Sequence, residues 1–238
     1  MKNVELLREG LKIYGIYLDE ERAGKFDIYI NMLLEWNKKI NLTAVTEEKE
    51  IIIKHFLDSL SCVQSGIDMK CKNVIDIGTG GGFPGVPLKI VFPEMDLTLL
   101  DSLNKRVIFL RELTKILDIN ADIIHGRAEE YAVKDEYREK YDVAISRAVA
   151  PMNILIEYMA PFVKVGGYIL CQKGPNVFDE VKAAGDGINI LGGKLEKILS
   201  TDIYNSDIHH YIVKIKKVKS CPENYPRKAG IIKKKPLK

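Results

Sequence analysis

The sequence has few of the residues from which metal sites and disulfides are built. Its 238 residues include four cysteines and four histidines. They form neither a Cys-x-x-Cys pair nor a His-Glu-x-x-His motif, the spacings that zinc sites favour. We therefore expect no metal site, and we interpret Cys62, Cys71, Cys171 and Cys221 as free thiols in a reducing compartment.

A long uninterrupted apolar run is also missing. The N-terminus, MKNVELLREGLKIYG, mixes charged with apolar residues and contains no signal-peptide core. The longest apolar stretch, residues 154–170, is interrupted by Glu157, Pro161 and Lys164, which is too often for a membrane span. These absences predict a cytoplasmic protein that makes no use of a membrane.

A large net charge is absent as well, but the charges are unevenly distributed. The whole chain carries +3, whereas residues 214–238 contain ten Lys or Arg and a single acid, Glu223, which gives +9 there and leaves −6 for the rest. A basic segment on an acidic body favours a polyanionic partner such as nucleic acid, although it can also serve solubility. Residues 222–238 contain few apolar side chains, so we expect an exposed tail that becomes ordered, at least partly, on RNA.

What the sequence does contain, from residue 73 onwards, is an alternation of strands and helices. The predicted strands are NVIDIG, DLTLLD, ADIIHG, YDVAISRA and GYILCQKG, and helical patterns lie between them. This alternation predicts an α/β fold with a parallel sheet and helices on both faces. KLEKILST and HHYIVKIKKV predict a closing antiparallel hairpin. We expect a helical extension over residues 1–66, a ligand-binding domain over 67–221 and a basic tail over 222–238.

The stretch VIDIGTGGGFPGVPLKI places five glycines within eight positions, between the first strand and a helix. Such a loop lets a ligand approach the backbone closely. Gly80, Gly82 and Gly85 match the GxGxxG pattern of dinucleotide sites, so an NAD site is one possibility. With Asp76 and Gly78, however, the stretch also reads hhDhGxGxG, which resembles motif I of the class I methyltransferases that use S-adenosylmethionine (AdoMet).

The ends of the next two strands fit an adenosine ligand. Asp101 ends the second strand, where a carboxylate can accept hydrogen bonds from both ribose hydroxyls of either NAD or AdoMet. The same residue can instead cap the following helix. After the third strand, Ala128 and Glu129 stand where the adenine ring lies in the methyltransferase fold.

Taken together, the motifs resemble one family. WNKKINLTAV, HFLDSL, VIDIGTGGGFPGVPLKI, DSLNKR, GRAEE, SRAVAP, CQKG and YPRKAG occur in the order found in the glucose-inhibited division protein B family of ribosomal RNA methyltransferases. The resemblance covers almost the whole chain. It implies a class I AdoMet-dependent methyltransferase fold, a Rossmann-like seven-stranded sheet with an N-terminal helical extension. It also implies methylation of N7 of a guanine in 16S rRNA, free or in the small ribosomal subunit.

The resemblance further implies roles for individual residues. Those expected to contact AdoMet are Gly78, Phe83, Ala128, Glu129 and Arg147, and our interpretation of the loop and the second strand adds Gly80 and Asp101. Those expected around the RNA are Arg127, Arg147, Lys173 and Arg227, of which Arg127, Arg147 and Lys173 form the expected catalytic set.

The chemistry of guanine N7 agrees with this set. N7 has an in-plane lone pair and no proton, so the attack needs positioning and no general base. An arginine on both O6 and N7 would occupy that lone pair, and we therefore expect Arg127, Arg147 and Lys173 to hold phosphates or O6. Each of them can equally pair with a neighbouring acid. His55 and Asp58, one helical turn apart, are expected to tie the extension to the sheet.

Three other functions fit parts of the sequence. The first is a methyltransferase for another RNA, a protein or a small molecule. The second is an NAD-dependent oxidoreductase, against which Asp76 argues. The third is an RNA-binding module without catalysis. The basic tail and the lack of a separate substrate domain favour a methyltransferase of RNA.

Overall fold

The computed structural model describes residues 2–207 and 209–237. Met1, Ile208 and Lys238 lie outside the described residues, and Lys238 is one of the lysines of the basic tail. Among the helices described, none is both long and apolar enough to span a bilayer.

One mixed sheet of seven strands organises the fold, in the order β3-β2-β1-β4-β5-β7-β6. Strands β1 to β5 pair in parallel, and β7 pairs antiparallel with both β5 and β6. The predicted α/β fold and its closing hairpin are confirmed. The strands are β1 Asn73–Ile77, β2 Asp96–Asp101, β3 Asp122–His125, β4 Tyr141–Arg147, β5 Val163–Lys173, β6 Gly193–Asp202 and β7 His209–Lys217.

Helices precede the sheet, connect its strands and follow its last strand. They are α1 Lys2–Ile13, α2 Glu20–Ile40, α3 Glu48–Ile51, α4 Asp58–Leu60, α5 Gly85–Val91, α6 Asn104–Ile116, α7 Ala128–Tyr131, α8 Met152–Met159, α9 Val177–Ala184, α10 Gly187–Ile190 and α11 Ala229–Lys234. A π-helical turn, Ile52–Leu57, joins α3 to α4, and a 3-10 turn, Ser61–Ser65, continues them into one long helical segment.

The sheet has a hydrophobic core on each face, because alternate strand residues point to opposite sides. On one face Val74 packs in the same core as Leu7, Phe26 and Phe56 of the N-terminal helices, together with α5 and α6. On the other face the core includes Ile75 and residues of α8 to α11. The N-terminal helices therefore share a core with the sheet.

The C-terminal segment, residues 222–237, folds back against α8. The Arg227 guanidinium donates to both carboxylate oxygens of the buried Glu157, at 2.9 and 2.6 Å. Arg138 donates to two backbone carbonyls of the segment, and Ile232 of α11 is fully buried. The prediction of an exposed segment is confirmed for more than half of residues 222–237. The expected ordering on RNA is wrong for the described part, because the Arg227–Glu157 ion pair and the hydrogen bonds from Arg138 already hold the segment to the body. Lys238 lies outside the described residues.

Candidate functional site at the carboxyl edge of the sheet

The glycine loop leaves β1 at the carboxyl edge of the sheet and ends at α5. Its backbone is tied to β2, since the amides of Gly78 and Thr79 donate to the Leu100 carbonyl at 2.8 and 3.2 Å. Gly78 has φ +70°, and a Cβ there would lie 2.5 Å from Cγ2 of Val149. Both the conformation and the lack of space require glycine at this position.

Two buried carboxylates hold the loop in this shape. Oδ2 of Asp76 accepts from the amide of Gly85 at 2.8 Å and from the Thr79 hydroxyl at 2.7 Å. Oδ2 of Asp101 accepts from the amide of Gly80 at 2.9 Å. The acidic residue of the hhDhGxGxG pattern thus fastens the loop to the first turn of α5.

Asp101 is already occupied within the protein. In addition to Gly80, its Oδ1 accepts from the amide of Leu103 at 2.9 Å, just ahead of α6, and Arg106 lies 3.5 Å from Oδ2. The interpretation of Asp101 as the N-cap of α6 is wrong, because the cap residue is Leu103 and no side chain caps this helix. The carboxylate instead shapes the turn before α6 and stands beside the glycine loop. Its contact with a ribose stays a prediction.

A cavity of about 490 Å³, which we call the Gly78 cavity, lies beside the loop. Leu100, Ala128, Ile154 and Tyr158 give it apolar walls, and Glu129 lies at its edge with a side chain that is 10% exposed. An apolar slot beside bare glycine backbone and a carboxylate fits an adenosine group with hydrogen-bonding hydroxyls. Ala128 and Glu129 are thus brought next to Gly78, as the sequence predicts.

A second cavity, of about 340 Å³, adjoins the first on the other side of the loop after β4. We call it the Lys173 cavity. The side chains of Arg147, Gln172, Glu180 and His210 help to line it, together with Lys173. Because Val149, Ala150 and Pro151 line both cavities, only this loop separates them.

Arg147 lies at the end of β4 in a dense polar network. Its Nη1 donates to Oδ2 of Asp58 at 2.8 Å, and Oδ1 of Asp58 lies 2.7 Å from Nδ1 of His210. Asp58 is 1% exposed, and the carboxyl pKa is lowered because the hydrogen bond from His210 and the charge of Arg147 outweigh its burial. The expectation that Asp58 ties the N-terminal helices to the sheet is confirmed, through Arg147 and His210.

The π-helical turn contributes directly to this network. The carbonyls of Lys54 and His55 lie 3.3 and 3.4 Å from Nη1 of Arg147. A π-helical turn shifts the backbone hydrogen bonds by one residue, and such turns are frequent at functional sites. The guanidinium is therefore fixed by backbone as well as side-chain acceptors.

Phe83 is placed differently from the expectation of a direct ligand contact. It is 5% exposed and stacks between the rings of Tyr29 and His55, with centroids 5.4 and 4.7 Å away, while the Arg147 guanidinium lies 4.9 Å from its centroid. It lines neither cavity. Burial and the neighbouring Arg147 lower the pKa of His55 to about 4, so the imidazole is neutral at pH 7. Phe83 positions Arg147, and its contact with AdoMet stays a prediction.

The four predicted cations do not meet at one point. Arg147 and Lys173 line the Lys173 cavity, and Arg127 lines the Gly78 cavity with a side chain that is 58% exposed. Arg227 is held by Glu157 and lines neither of these two cavities. Arg127, Arg147 and Lys173 thus share the carboxyl edge of the sheet, as the positions at strand ends predict.

Three residues of the Lys173 cavity were not identified from the sequence. Glu180 lies in a stretch with no motif, His210 is near the start of the last strand, and Gln172 stands inside CQKG. Each comes from a different element, so no local spacing connects them. The adjacency of β5 and β7 brings Gln172 and His210 together, whereas Glu180 arrives with α9.

Asp76 predicts a measurable dependence of stability on pH. Burial raises the pKa of its carboxyl group to about 7, from 3.8 in the unfolded chain, and the charge of Asp101 adds to this, while Thr79, Gly85 and Arg147 oppose it. The folded protein therefore binds this proton more tightly, and its contribution to stability is lost as the pH rises from about 4 to 7. Relative to Asp76→Asn, the free energy of unfolding should fall by up to about 1.4 kcal/mol per pH unit in that range.

Urea unfolding of both proteins at each pH measures this difference. All groups that the two proteins share cancel in the comparison, including the neutral His55. Parallel stability curves from pH 4 to 8 would contradict the raised pKa of Asp76.

Comparisons with known proteins agree with the family resemblance seen in the sequence. A family model described as GidB, rRNA small subunit methyltransferase G, matches residues 22–208. The ribosomal RNA small subunit methyltransferase G of Alkaliphilus oremlandii is 51% identical over 241 residues, which cover 100% of both chains. The protein of the same name from Alkaliphilus metalliredigens is 48% identical over 239 residues, again covering 100% of both.

A solved structure extends the likeness to the fold. The precorrin-6y C5,15-methyltransferase from Geobacter metallireducens superposes with a TM-score of 0.52 over 68% of this chain and 87% of that chain, at 16% identity. At this identity the likeness concerns the fold alone. It agrees with the class I methyltransferase fold predicted from the sequence.

Proposed function

This chain belongs to the GidB family of small-subunit rRNA methyltransferases, and we propose that its two adjoining cavities hold AdoMet and a target guanine, so that the base is methylated at N7. The activity is that of an AdoMet-dependent 16S rRNA (guanine-N7)-methyltransferase.

The observation that carries the proposal is the contact between the two cavities. The Gly78 cavity has apolar walls beside bare glycine backbone and a carboxylate, which suits an adenosine group. The Lys173 cavity is lined by cations and hydrogen-bonding side chains. They share the wall formed by Val149, Ala150 and Pro151. A methyl donor in one and a base in the other would be held close together, and proximity of this kind can account for roughly 7–11 kcal/mol of a barrier.

The residues of the Gly78 cavity fit AdoMet. Glycine at position 78 leaves the backbone open to the ligand, Ala128 and Glu129 border the slot proposed for adenine, and Asp101 holds the amide of Gly80 beside it. We propose that Gly78, Gly80, Asp101, Ala128 and Glu129 bind the cofactor, and that Phe83 acts with them by packing against Arg147. When bound, AdoMet supplies a methyl group activated by a sulfonium.

The cations of the site are fixed before any substrate binds. Arg147 is paired with Asp58 at 2.8 Å and Lys173 with Glu180 at 2.7 Å. Their side chains therefore need little reorganisation when an anion or a carbonyl oxygen arrives, which is how preorganised polar groups favour a reaction. N7 has no proton to remove, so the reaction needs no general base, and the pKa of His55, which burial lowers to about 4, makes its imidazole a weak base.

We propose that RNA runs across the Gly78 cavity and α11. Lys228, Lys234 and Lys235 are exposed there, Lys233 is exposed and lines the Gly78 cavity, and Arg127 faces the same side. Exposed cations of this kind bind the phosphate backbone without reading its sequence. Arg227 supports this surface by anchoring the segment to Glu157. We also propose that the substrate is cytoplasmic, as 16S rRNA or the assembled small subunit, and that residues 1–66 act as a helical support for the methyltransferase domain.

The product of the reaction tests the proposal. With AdoMet present, borohydride and aniline should cleave 16S rRNA at a single guanine, because this chemistry reports methylation at N7. The same RNA treated without AdoMet serves as the control, and small subunits treated in parallel identify the preferred substrate. A methyl group on an exocyclic amine, a pyrimidine carbon or a ribose would refute the proposed chemistry.

A further inference from the structure

Lys173 and Glu180 form an ion pair at the Lys173 cavity, and each has hydrogen-bonding capacity that the protein does not use. Nζ of Lys173 donates to the Ala150 carbonyl at 2.5 Å and to Oε2 of Glu180 at 2.7 Å. Oε2 also accepts from the amide of Met152 at 2.9 Å, at the start of α8. The lysine side chain is 5% exposed and that of the glutamate 29%, so the pair is held in place at the edge of the cavity.

Each partner has bonding capacity left over. An ammonium group has three N–H donors, and two of those on Lys173 are used within the protein. Among the described residues, the hydrogen bonds to the Glu180 carboxylate go to Oε2, which leaves Oε1 available to accept. The cavity therefore presents a donor on Lys173 next to an acceptor on Glu180.

This order of donor and acceptor matches one edge of guanine. The Watson–Crick edge carries an acceptor, O6, followed by two donors, N1–H and the N2 amino group, whereas adenine presents a donor, N6, followed by an acceptor, N1. A lysine that faces O6 and a carboxylate that faces N1–H and the N2 amino group are complementary to guanine. Adenine held in the same orientation would place its N6 amino group against the ammonium and its N1 lone pair against the carboxylate. Enzymes that act on an extruded base commonly read it through this edge, and here the other edge must stay open because it contains N7.

Gln172 adds a further acceptor to the lining of the same cavity. Its Nε2 donates to the Asp58 carbonyl at 2.6 Å and to the Ser61 hydroxyl, which fixes the orientation of the amide because the reverse would place two oxygens together. Oε1 is then left buried without a partner in the described structure. Buried acceptors normally have partners, and one without a partner is unfavourable until a ligand or a water molecule donates to it.

We propose that Glu180 and Lys173 read the Watson–Crick edge of the target guanine, with Glu180 accepting from N1–H and the N2 amino group and Lys173 donating to O6. The proposal deepens the proposed function and rests on it. Glu180 is thereby a specificity-determining residue, and the Lys173 cavity is the base-binding site.

Inosine, which lacks the N2 amino group, tests this assignment. Two ligated 16S rRNAs should be compared, with guanine or inosine at the nucleotide mapped by the N7 assay. The wild-type protein should methylate the inosine RNA with kcat/KM lower by about 10-fold or more, as expected for losing a hydrogen bond to a charged group. In Glu180→Gln, an amide donor can face the base, so kcat/KM on guanine should fall by about 10- to 100-fold and the preference for guanine over inosine should shrink to less than about 2-fold.

Asp179→Asn is the matched control, since it removes an exposed carboxylate from the same helix. It should leave both kcat/KM values unchanged. AdoMet affinity, measured by calorimetry, should remain within about 2-fold of wild type in both variants, because neither residue lines the Gly78 cavity.

The outcomes separate two kinds of failure. If the wild-type protein forms no N7 product on guanine RNA, the proposed function fails. If it does, but Glu180→Gln lowers methylation of both RNAs equally, then Glu180 only holds Lys173 and Met152, and the base-reading role is refuted. Should Glu180→Gln fail to fold, the wild-type protein still decides, because equal kcat/KM on guanine and inosine would overturn the assignment.

Discussion

Replacing Arg147 by alanine is expected to lower kcat/KM for methyl transfer to 16S rRNA by at least about 100-fold, the effect typical of removing a preorganised donor from an active site. The guanidinium lies in the Lys173 cavity, beside the loop shared with the Gly78 cavity, and its Nη1 pairs with Asp58 at 2.8 Å. The same change should lower the free energy of unfolding by about 3–5 kcal/mol, because it leaves the Asp58 carboxylate buried with His210 as its remaining partner.

Lys217→Met is the control that separates these two effects. Lys217 is also a buried cation and pairs with Glu139 at 3.0 Å. It lies at the opposite edge of the sheet, far from the carboxyl edge. In the register of β5 and β7, Tyr211 is opposite Lys173, whereas Lys216, next to Lys217, is opposite Tyr168. The Lys217→Met variant should have a lower free energy of unfolding, while kcat/KM of the folded protein should change little. If Arg147→Ala keeps wild-type turnover, measured with tritiated AdoMet at a temperature where both variants are folded, Arg147 is not a site residue.

Gly78→Ala is expected to weaken AdoMet binding by about 100-fold or more in calorimetry. An alanine at φ +70° is strained by roughly 1–3 kcal/mol, and its Cβ would lie 2.5 Å from Cγ2 of Val149, on the wall between the two cavities. Either the loop or Val149 must move, and both border the slot proposed for adenosine.

Val149→Ala provides a partial rescue because it removes the side chain with which the new Cβ collides. The double variant should recover part of the affinity, and the defect that remains reports the strain at positive φ. As a matched control, Gly15→Ala places alanine at a similar φ of +69°, with nothing within 4 Å of its Cβ. It should lose a comparable amount of stability and no AdoMet affinity. An unaltered AdoMet affinity in Gly78→Ala would remove the glycine loop from the cofactor site.

The sheet could be predicted from the sequence because its strands are short, apolar and separated by helical patterns. The closing hairpin followed from two apolar stretches with no long helix between them. The attachment of the C-terminal segment to the body could not be predicted, because its anchors lie elsewhere in the chain. Glu157 is the one charged residue of the largely apolar helix α8. Nothing in the sequence of residues 222–238 indicates that Arg227 is its ion-pair partner.

The candidate site was predictable to the extent that it follows single strands. Arg127, Arg147 and Lys173 stand at or just after strand ends, and parallel strands end at one edge, so their proximity could be inferred. The partners of these cations could not. Asp58 comes from the N-terminal helices and Glu180 from α9, and their positions depend on how those helices pack on the sheet. Distinguishing a paired cation from a free one requires that packing.

The contact between His210 and Asp58 has a consequence for how the protein is made. Asp58 is translated long before β7, yet the partner of its Oδ1 is on β7, and β5 stays an unpaired strand edge until β7 is available. Chains are synthesised at roughly 5–20 residues per second, and N-terminal parts can fold first. A nascent chain that ends before β7 can form the glycine loop but not the complete Arg147 network, so we expect no methyl transfer until β7 has been made.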